Sequence, residues 1–97
     1  MYTIEFHEDV HKDLKELGNS TTKLVLKKLI KISQNPLLGN ELGNKANNNL
    51  AGLRKVYVDN KKIRIVYKII EEKIEVLVVA VGKRDGMEVY KKASNRN

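Results

Sequence analysis

Three strand-like segments follow one another closely in the second half of this chain, at 52–58, 62–70 and 73–82. They are rich in β-branched and aromatic residues, and only a few residues connect one to the next. Connections this short join antiparallel strands, because a parallel pair needs a crossover of a dozen or more residues. The second half of the chain therefore predicts an antiparallel meander, around which the other elements must fit.

The turns of this meander predict its register. A tight turn centred on 60–61 places Tyr57 opposite Arg64, and a second tight turn places Lys68 opposite Glu75. One face of the sheet is then apolar and faces the core, with Val56, Val58, Ile63, Ile65, Tyr67 and Ile69. The other face is basic, with Lys55, Tyr57, Lys62, Arg64 and Lys68.

The first half of the chain reads as one strand followed by two helices. Residues 2–6 alternate as a strand does, and a helical pattern begins at Glu8 and ends at Gly18. Its apolar stripe consists of Val10, Leu14 and Leu17, and Asp13 is expected elsewhere on the helix.

The second helix is expected to begin at Ser20 or Thr21 and to end before Pro36, which disfavours helical geometry at the preceding residue. Its buried stripe is expected to hold Val25, Leu26, Leu29, Ile30 and Ile32. The segment 35–49 is rich in Asn and Gly and predicts a long mobile loop. Residues 86–93 predict a short helix or an extended tail.

Together these elements predict one α+β domain covering residues 1–97, in the order β-α-α-β-β-β with a short C-terminal helix. Two helices are expected on one face of a mostly antiparallel, four-stranded sheet. The basic face is expected on the side that the helices leave open.

The positive charge of the chain is concentrated in two segments. Residues 54–68 carry six cations and one anion, and residues 83–97 carry five cations and two anions, in a chain of net charge +7. This distribution favours a polyanionic partner, either nucleic acid or an acidic protein. The chain has no Cys and no apolar stretch of membrane-spanning length, so we expect a soluble cytoplasmic protein that does not bind membranes.

Two arginines and a tyrosine are candidates for chemistry on a phosphate. Arg64 lies on the basic face, and Arg84 follows the last strand; two converging guanidinium groups can bind one phosphate. Tyr90 has cationic neighbours, which favour its phenolate and suit it to act as a base. Lys55 could support either group. The alternatives are ion pairs of the arginines with Glu75 or Glu88, and a packing role for Tyr90.

The two histidines do not indicate a metal site. His7 and His11 are four residues apart, but His7 is expected to precede the helix and no third ligand has a matching spacing. We therefore expect neither a metal nor another cofactor.

The segments Ile63-Arg64-Ile65-Val66-Tyr67, Val81-Gly82-Lys83-Arg84 and Glu88-Val89-Tyr90, in this order, resemble the RelE branch of the RelE/ParE toxin superfamily. The resemblance covers nearly the whole chain. It implies a toxin of a toxin–antitoxin pair, which cleaves messenger RNA in the ribosomal A site without a metal. A ribose 2′-hydroxyl would attack the adjacent phosphate, leaving a cyclic phosphate and a 5′-hydroxyl. Its partners would be an acidic antitoxin, the ribosome and mRNA.

The resemblance also implies roles for individual residues. Tyr90 would be the general base, Arg84 the acid or the group that stabilises the leaving oxygen, and Arg64 the phosphate brace. Lys55 matches one of two strand lysines usual in RelE enzymes, and Tyr57 stands where the second is usual. The expected RNA-binding residues are Tyr57, Lys62, Lys68, Lys83 and Lys91.

Two other functions remain open from the sequence. One is a ParE-like toxin that acts on DNA gyrase and lacks the catalytic set. The other is a non-catalytic module that binds RNA or the ribosome through the same basic surface.

Overall fold

The computed structural model describes residues 1–45 and 48–97. Its elements are β1 (Thr3–Phe6), α1 (Val10–Leu17), α2 (Asn19–Gln34), β2 (Asn40–Glu41), β3 (Asn44–Lys45), β4 (Asn48–Asn49), β5 (Arg54–Val58), β6 (Ile63–Ile70), β7 (Glu75–Lys83) and α3 (Glu88–Arg96). Single 3₁₀ turns lie at Pro36–Leu38 and Glu71–Lys73. Among the described residues, no helix is both long and apolar enough to cross a membrane.

The main sheet confirms the α+β class but differs from the prediction in two details. Its strand order is β1-β7-β6-β5-β2, so the main sheet has five strands rather than four, and β3 and β4 pair in a separate two-stranded sheet. The added strand is the two-residue edge strand β2, which pairs with β5 and has no strand-forming residues that would mark it in the sequence. β1 is parallel to β7, and the other pairs are antiparallel, which makes the sheet mixed.

The predicted register is correct for the first hairpin. Tyr57 lies opposite Arg64 and Val58 opposite Ile63, as the turn length required. The connecting residues Asp59, Asn60 and Lys61 all have positive φ, which lets the chain reverse in a short distance.

The predicted register of the second hairpin is wrong. Lys68 lies opposite Leu77, and Ile70 rather than Lys68 lies opposite Glu75. The turn is longer than expected, because it contains a 3₁₀ segment followed by Ile74 in the left-handed conformation with φ of 53°. A bulge after Val66 shifts the pairing again, so that Gly82 comes to lie opposite Arg64.

The first hydrophobic core lies between the sheet and helices α1 and α2. Its buried members are Val10, Val25, Leu29, Ile32, Val58, Ile63, Ile65, Tyr67, Val76, Val78 and Val81, with Leu14, Leu17, Val56 and Ile69 packed against them. The predicted core face of the sheet is therefore confirmed. Two predicted helix residues are not buried: Leu26 is 44% exposed and Ile30 is 59% exposed. The stripe through Val25, Leu29 and Ile32 leaves them on the next row around the helix.

A second core lies on the opposite face, where the sequence predicted an open basic surface. The buried residues there are Leu42, Leu50, Leu53, Val66, Val79, Ala80, Val89, Tyr90 and Ala93. Helix α3 covers this part of the sheet, and Leu42 comes from the segment that was predicted to be a mobile loop. The end of the sheet near Tyr57 and Arg64 keeps its cationic face.

The segment before β2 is fixed by the buried hydroxyl of Tyr67. This hydroxyl accepts a hydrogen bond from the Gly39 N–H at 2.8 Å and donates one to the Pro36 carbonyl at 2.6 Å. A Cβ at Gly39 would lie only 2.7 Å from both this hydroxyl and the Lys55 carbonyl, so the close approach requires glycine.

An ion pair between the first and last helices closes the exposed edge of β7. Strand β1 pairs with β7 only as far as Val78. Beyond that point the Asp13 carboxylate accepts the Val81 N–H at 3.0 Å, and the Arg96 guanidinium donates to the Val79 carbonyl at 3.0 Å. Asp13 is only 2% exposed, so its predicted position off the buried face is wrong.

Candidate active site

Three candidate side chains, those of Lys55, Arg64 and Arg84, surround Tyr57 at the end of the sheet. Tyr57 and Arg64 are cross-strand neighbours, and the guanidinium carbon of Arg64 lies 5.9 Å from the centroid of the Tyr57 ring. Arg84 reaches the same ring from just beyond β7, with its guanidinium carbon 5.8 Å from the ring centroid. Its backbone is fixed by a 2.8 Å hydrogen bond from the Arg84 N–H to the Lys62 carbonyl. Lys55, on the same strand face as Tyr57, completes the group.

The Tyr57 hydroxyl is directly bound by a cation. Lys55 Nζ donates to Tyr57 Oη at 2.8 Å and lies 4.2 Å from the ring centroid. The pKa of Tyr57 is lowered to about 8, first by the hydrogen bond from Lys55, against the opposing effect of burial, and also by Arg64. A phenol in this position ionises much nearer to neutral pH than an ordinary tyrosine does.

Arg64 is held in place by groups without a negative charge. Its guanidinium carbon lies 4.5 Å from the centroid of the Tyr90 ring, and its Nη1 donates to the Gly86 carbonyl at 3.3 Å. Its Nε is buried and has no hydrogen-bond partner among the described residues. A buried donor without an acceptor is costly.

Neither Arg64 nor Arg84 forms an ion pair with a carboxylate in the described part of the chain. The ion pairs found there involve other cations, and the predicted alternative of a pair with Glu75 or Glu88 is not observed. In contrast, Lys92 and Arg96, which contributed to the C-terminal positive charge, are both bound to Asp13. The cations around Tyr57 thus keep their charge free for a ligand, whereas these two C-terminal cations do not.

Tyr90 is part of the second core as well as of this site. It is only 3% exposed, and it packs in the same cluster as Val66, Val89 and Ala93. One face of its ring carries the Arg64 guanidinium. The packing role left open by the sequence is therefore realised; its role as a general base stays a prediction.

The predicted RNA-binding lysines are spread around this centre. Lys62 and Lys83 line an open cleft of about 440 Å³ that also reaches Arg84. Lys91 is exposed on α3. Lys68 lies four residues along β6 from Arg64, a distance of about 13 Å, and its Nζ approaches Asn97 Oδ1 at 3.3 Å. The structure therefore groups Lys55, Tyr57, Arg64, Arg84 and Tyr90 and leaves Lys68 apart.

Two features of the site were not expected from the sequence. The Gly86 carbonyl anchors Arg64, and nothing in the sequence singles out this contact. The sequence does contain an indication of the hydrogen bond between Lys55 and Tyr57, because residues two apart on a strand have side chains on the same face. In the described ranges, no group of three or more His, Cys, Asp and Glu side chains is arranged to hold a metal ion.

Comparison with known proteins identifies the family of this chain. The family model described as the ParE toxin of the type II toxin–antitoxin system parDE matches residues 4–87. The mRNA interferase toxin RelE of Escherichia coli K12 is 32% identical over 98 residues, which cover 98% of this chain and 96% of that protein.

Solved structures show the same relationship. The isolated E. coli RelE toxin superimposes with a TM-score of 0.72 at 30% identity, covering 99% of this chain and 98% of that one. The toxin–antitoxin complex RelBE2 of Mycobacterium tuberculosis matches with a TM-score of 0.71 at 26% identity, covering 86% and 98%. The chain therefore belongs to the RelE/ParE superfamily of type II toxin–antitoxin systems and is a toxin of its RelE-like branch.

Proposed function

We propose that this RelE-like toxin is a metal-independent endoribonuclease that cleaves mRNA in the ribosomal A site. The observation that carries the proposal is the convergence of Arg64 and Arg84, both without a carboxylate partner in the described residues, on the Lys55–Tyr57 pair. Relatives named mRNA interferase over nearly the whole chain support the same activity.

Arg64 binds the scissile phosphate in this proposal. The Tyr90 ring and the Gly86 carbonyl restrict its guanidinium to one position before any ligand arrives. The N–H groups of its two terminal nitrogens that Gly86 leaves free can donate to phosphoryl oxygens. Donors that are already oriented stabilise growing negative charge without reorganising during the reaction.

Arg84 stabilises the leaving oxygen. The 2′-hydroxyl attacks the adjacent phosphorus, and the bond to the 5′-oxygen breaks, so negative charge grows on that oxygen. The Arg84 guanidinium lies near the Tyr57 ring, and Arg84 also lines the cleft that contains Lys62 and Lys83. These lysines, with Lys91 and Lys68 further away, attract the RNA backbone by charge.

Tyr90 belongs to the site as the support of Arg64. Sequence resemblance implied that it is the general base, and this role is still to be tested. Its burial and its stacked guanidinium favour a positioning role, because a base must reach the proton that it removes.

An acidic antitoxin is the proposed inhibitor, and the cytoplasm is the proposed location. Solved relatives include RelE bound to RelB, the E. coli RelBE complex among them. A cluster of cations without carboxylate partners attracts an anionic protein, and acidic side chains over Arg64 and Arg84 would occupy the phosphate site.

A ParE-like toxin that acts on gyrase is the second candidate, since the matching family model describes ParE. The two functions separate in one experiment. The protein is incubated with purified ribosomes translating a defined mRNA, and new 5′ ends are mapped; a parallel reaction measures DNA supercoiling by gyrase. Cleavage within A-site codons with 5′-hydroxyl ends supports the proposal. Intact mRNA together with inhibited supercoiling would replace it with the ParE-like function, and protection of mRNA without cleavage would indicate a binding module.

A further inference from the structure

Tyr57 has surroundings unlike those of an ordinary surface tyrosine. Its hydroxyl accepts a 2.8 Å hydrogen bond from Lys55, and the Arg64 and Arg84 guanidinium groups lie within 6 Å of its ring centroid. No carboxylate of residues 1–45 and 48–97 forms an ion pair with any of these three cations. The phenol is therefore at the centre of the unneutralised charge of the site.

We propose that Tyr57 is the general base of the RNA cleavage, an inference that rests on the function proposed above. Its phenolate oxygen takes the proton of the ribose 2′-hydroxyl. The freed 2′-oxygen bonds to the adjacent phosphorus, while the bond from phosphorus to the 5′-oxygen breaks. The leaving oxygen keeps the electron pair and takes a proton from water beside Arg84, giving a 2′,3′-cyclic phosphate and a 5′-hydroxyl. Neutral Tyr57 then returns its proton to solvent.

The neighbouring side chains are less suited to this step. Lys55 donates a hydrogen bond to Tyr57, and an ammonium group that keeps its protons for donation does not accept another. Tyr90 is 3% exposed beneath Arg64, whereas Tyr57 is only partly buried on the face shared by the cations. A ribose hydroxyl can therefore approach Tyr57 more readily than Tyr90.

The ionisation of Tyr57 supports the proposal. The groups that face it are Lys55 on its own strand, Arg64 on the neighbouring strand and Arg84 beyond the last strand, and all are cations. Lys55, chiefly through its hydrogen bond, and Arg64 lower the pKa of Tyr57 to about 8, against the opposing effect of burial. At pH 7.5 a phenol with this pKa is ionised to a far greater extent than an ordinary tyrosine, whose pKa is about 10. A useful fraction of the protein thus carries the base in its active form.

The first test compares Tyr57→Phe with the wild type in single-turnover cleavage of mRNA on translating ribosomes. The ring and its contacts with cations remain, and only the hydroxyl is lost. Cleavage should fall about 10²–10⁴-fold, with ribosome binding and the thermal unfolding midpoint retained. Tyr2→Phe is the matched control: it removes a hydroxyl that hydrogen-bonds Glu71 at 3.1 Å, at the opposite end of the sheet, and it should cleave at the wild-type rate.

The second test separates proton transfer from a structural role. The logarithm of the wild-type cleavage rate should rise with pH up to about 8, and the profile of Tyr57→Phe should lose this rise. A fluorinated tyrosine placed at position 57 by amber suppression has a lower phenol pKa, so its profile should level off at a lower pH. A hydroxyl that only positions the RNA would not move the profile.

The outcomes distinguish the two proposals. Cleavage by Tyr57→Phe at the wild-type rate, or an unchanged profile with the fluorinated residue, would overturn the role of Tyr57 and leave the endoribonuclease assignment intact. Absence of cleavage by the wild type on competent ribosomes would overturn both.

Discussion

Arg96 and Asp13, 83 residues apart in the sequence, form a two-point ion pair. Arg96 Nη1 lies 2.7 Å from Asp13 Oδ2, and Nη2 lies 3.1 Å from Oδ1. Burial opposes the charge of Asp13, but the hydrogen bonds from Arg96 and the Val81 N–H, with the charges of Arg96 and Lys92, outweigh it and lower the pKa of this carboxyl. The ionised pair therefore contributes to the stability of the fold.

Removing Arg96 should destabilise the protein strongly. Arg96→Met leaves a nearly inaccessible carboxylate with too few donors and should lower the free energy of unfolding by about 3 kcal/mol. Lys92→Met is the control, since Lys92 is the more exposed partner of Asp13, and it should cost less than about 1 kcal/mol. Urea denaturation measures both, and equal losses would show that the two-point geometry contributes nothing.

Acid should weaken the fold through the same carboxyl. The pKa of Asp13 is lowered in the folded state, so its contribution is present above the unfolded value and is lost as pH falls below about 4. Asp13→Asn should be less stable at neutral pH and should lose less stability between pH 5 and pH 2 than the wild type. Thermal unfolding of both proteins across this pH range measures the difference. An equal loss of stability in the wild type and in Asp13→Asn would contradict the prediction.

Arg84 should matter for chemistry more than for binding. Arg84→Ala should reduce the cleavage rate about 10²–10³-fold, with a smaller loss of ribosome affinity. Lys73→Ala removes an exposed cation at the opposite end of the sheet and serves as the charge control. Single-turnover cleavage with a ribosome-binding assay makes the comparison, and equal losses in rate and affinity would assign Arg84 to binding alone.

Tyr90→Phe should cleave mRNA within a few-fold of the wild-type rate. The substitution keeps the ring on which Arg64 stacks, and this ring contact is how Tyr90 positions Arg64 in the proposed mechanism. Tyr90→Leu is the companion variant, because it removes the aromatic surface and should lose both stability and activity. A drop of about 10²–10⁴-fold for Tyr90→Phe, with ribosome binding intact, would instead make Tyr90 the general base.

The ionisation of Tyr57 should depend on Lys55. Lys55→Met removes the principal cause of the lowered pKa, so the midpoint should move from about 8 toward the ordinary value of about 10. The near-ultraviolet absorbance of phenolate, followed with pH and corrected with the Tyr57→Phe variant, reports this midpoint without any substrate. Lys68→Met, a lysine farther along the sheet, should leave it unchanged; a shift of the same size there would mean that overall charge, not the hydrogen bond, sets the pKa.

The sequence predicted what short-range geometry controls. The turn between Val58 and Ile63 was short enough to determine the pairing of Tyr57 with Arg64, and that pairing locates the site. The predicted register of the second hairpin, between β6 and β7, is wrong because Ile74 adopts a left-handed conformation. A β-branched side chain disfavours this conformation, so residue propensities do not predict it. Tertiary packing decided that outcome.

The spacing of Asp13 in the sequence indicates that its carboxylate is buried. It stands three residues after Val10 and four before Leu17, which places a carboxylate within the apolar stripe of α1. A buried carboxylate requires a partner, and the partner is Arg96, one of the C-terminal cations whose charge favoured a polyanionic ligand. A short C-terminal helix was predicted, but the core beneath it was not, because short-range patterns do not show which face of the sheet such a helix will cover.

The position of β7 in the sheet affects how the protein matures during synthesis. This strand lies between β1 and β6, yet it is translated after both, and the Asp13–Arg96 pair needs a residue that follows β7 in the chain. While the ribosome still encloses β7 and Arg96, the strand and the ion pair cannot take their native places. β1 should therefore wait without its sheet partner until these residues emerge, so the cationic site, which needs Arg84 beyond β7, is assembled late in synthesis.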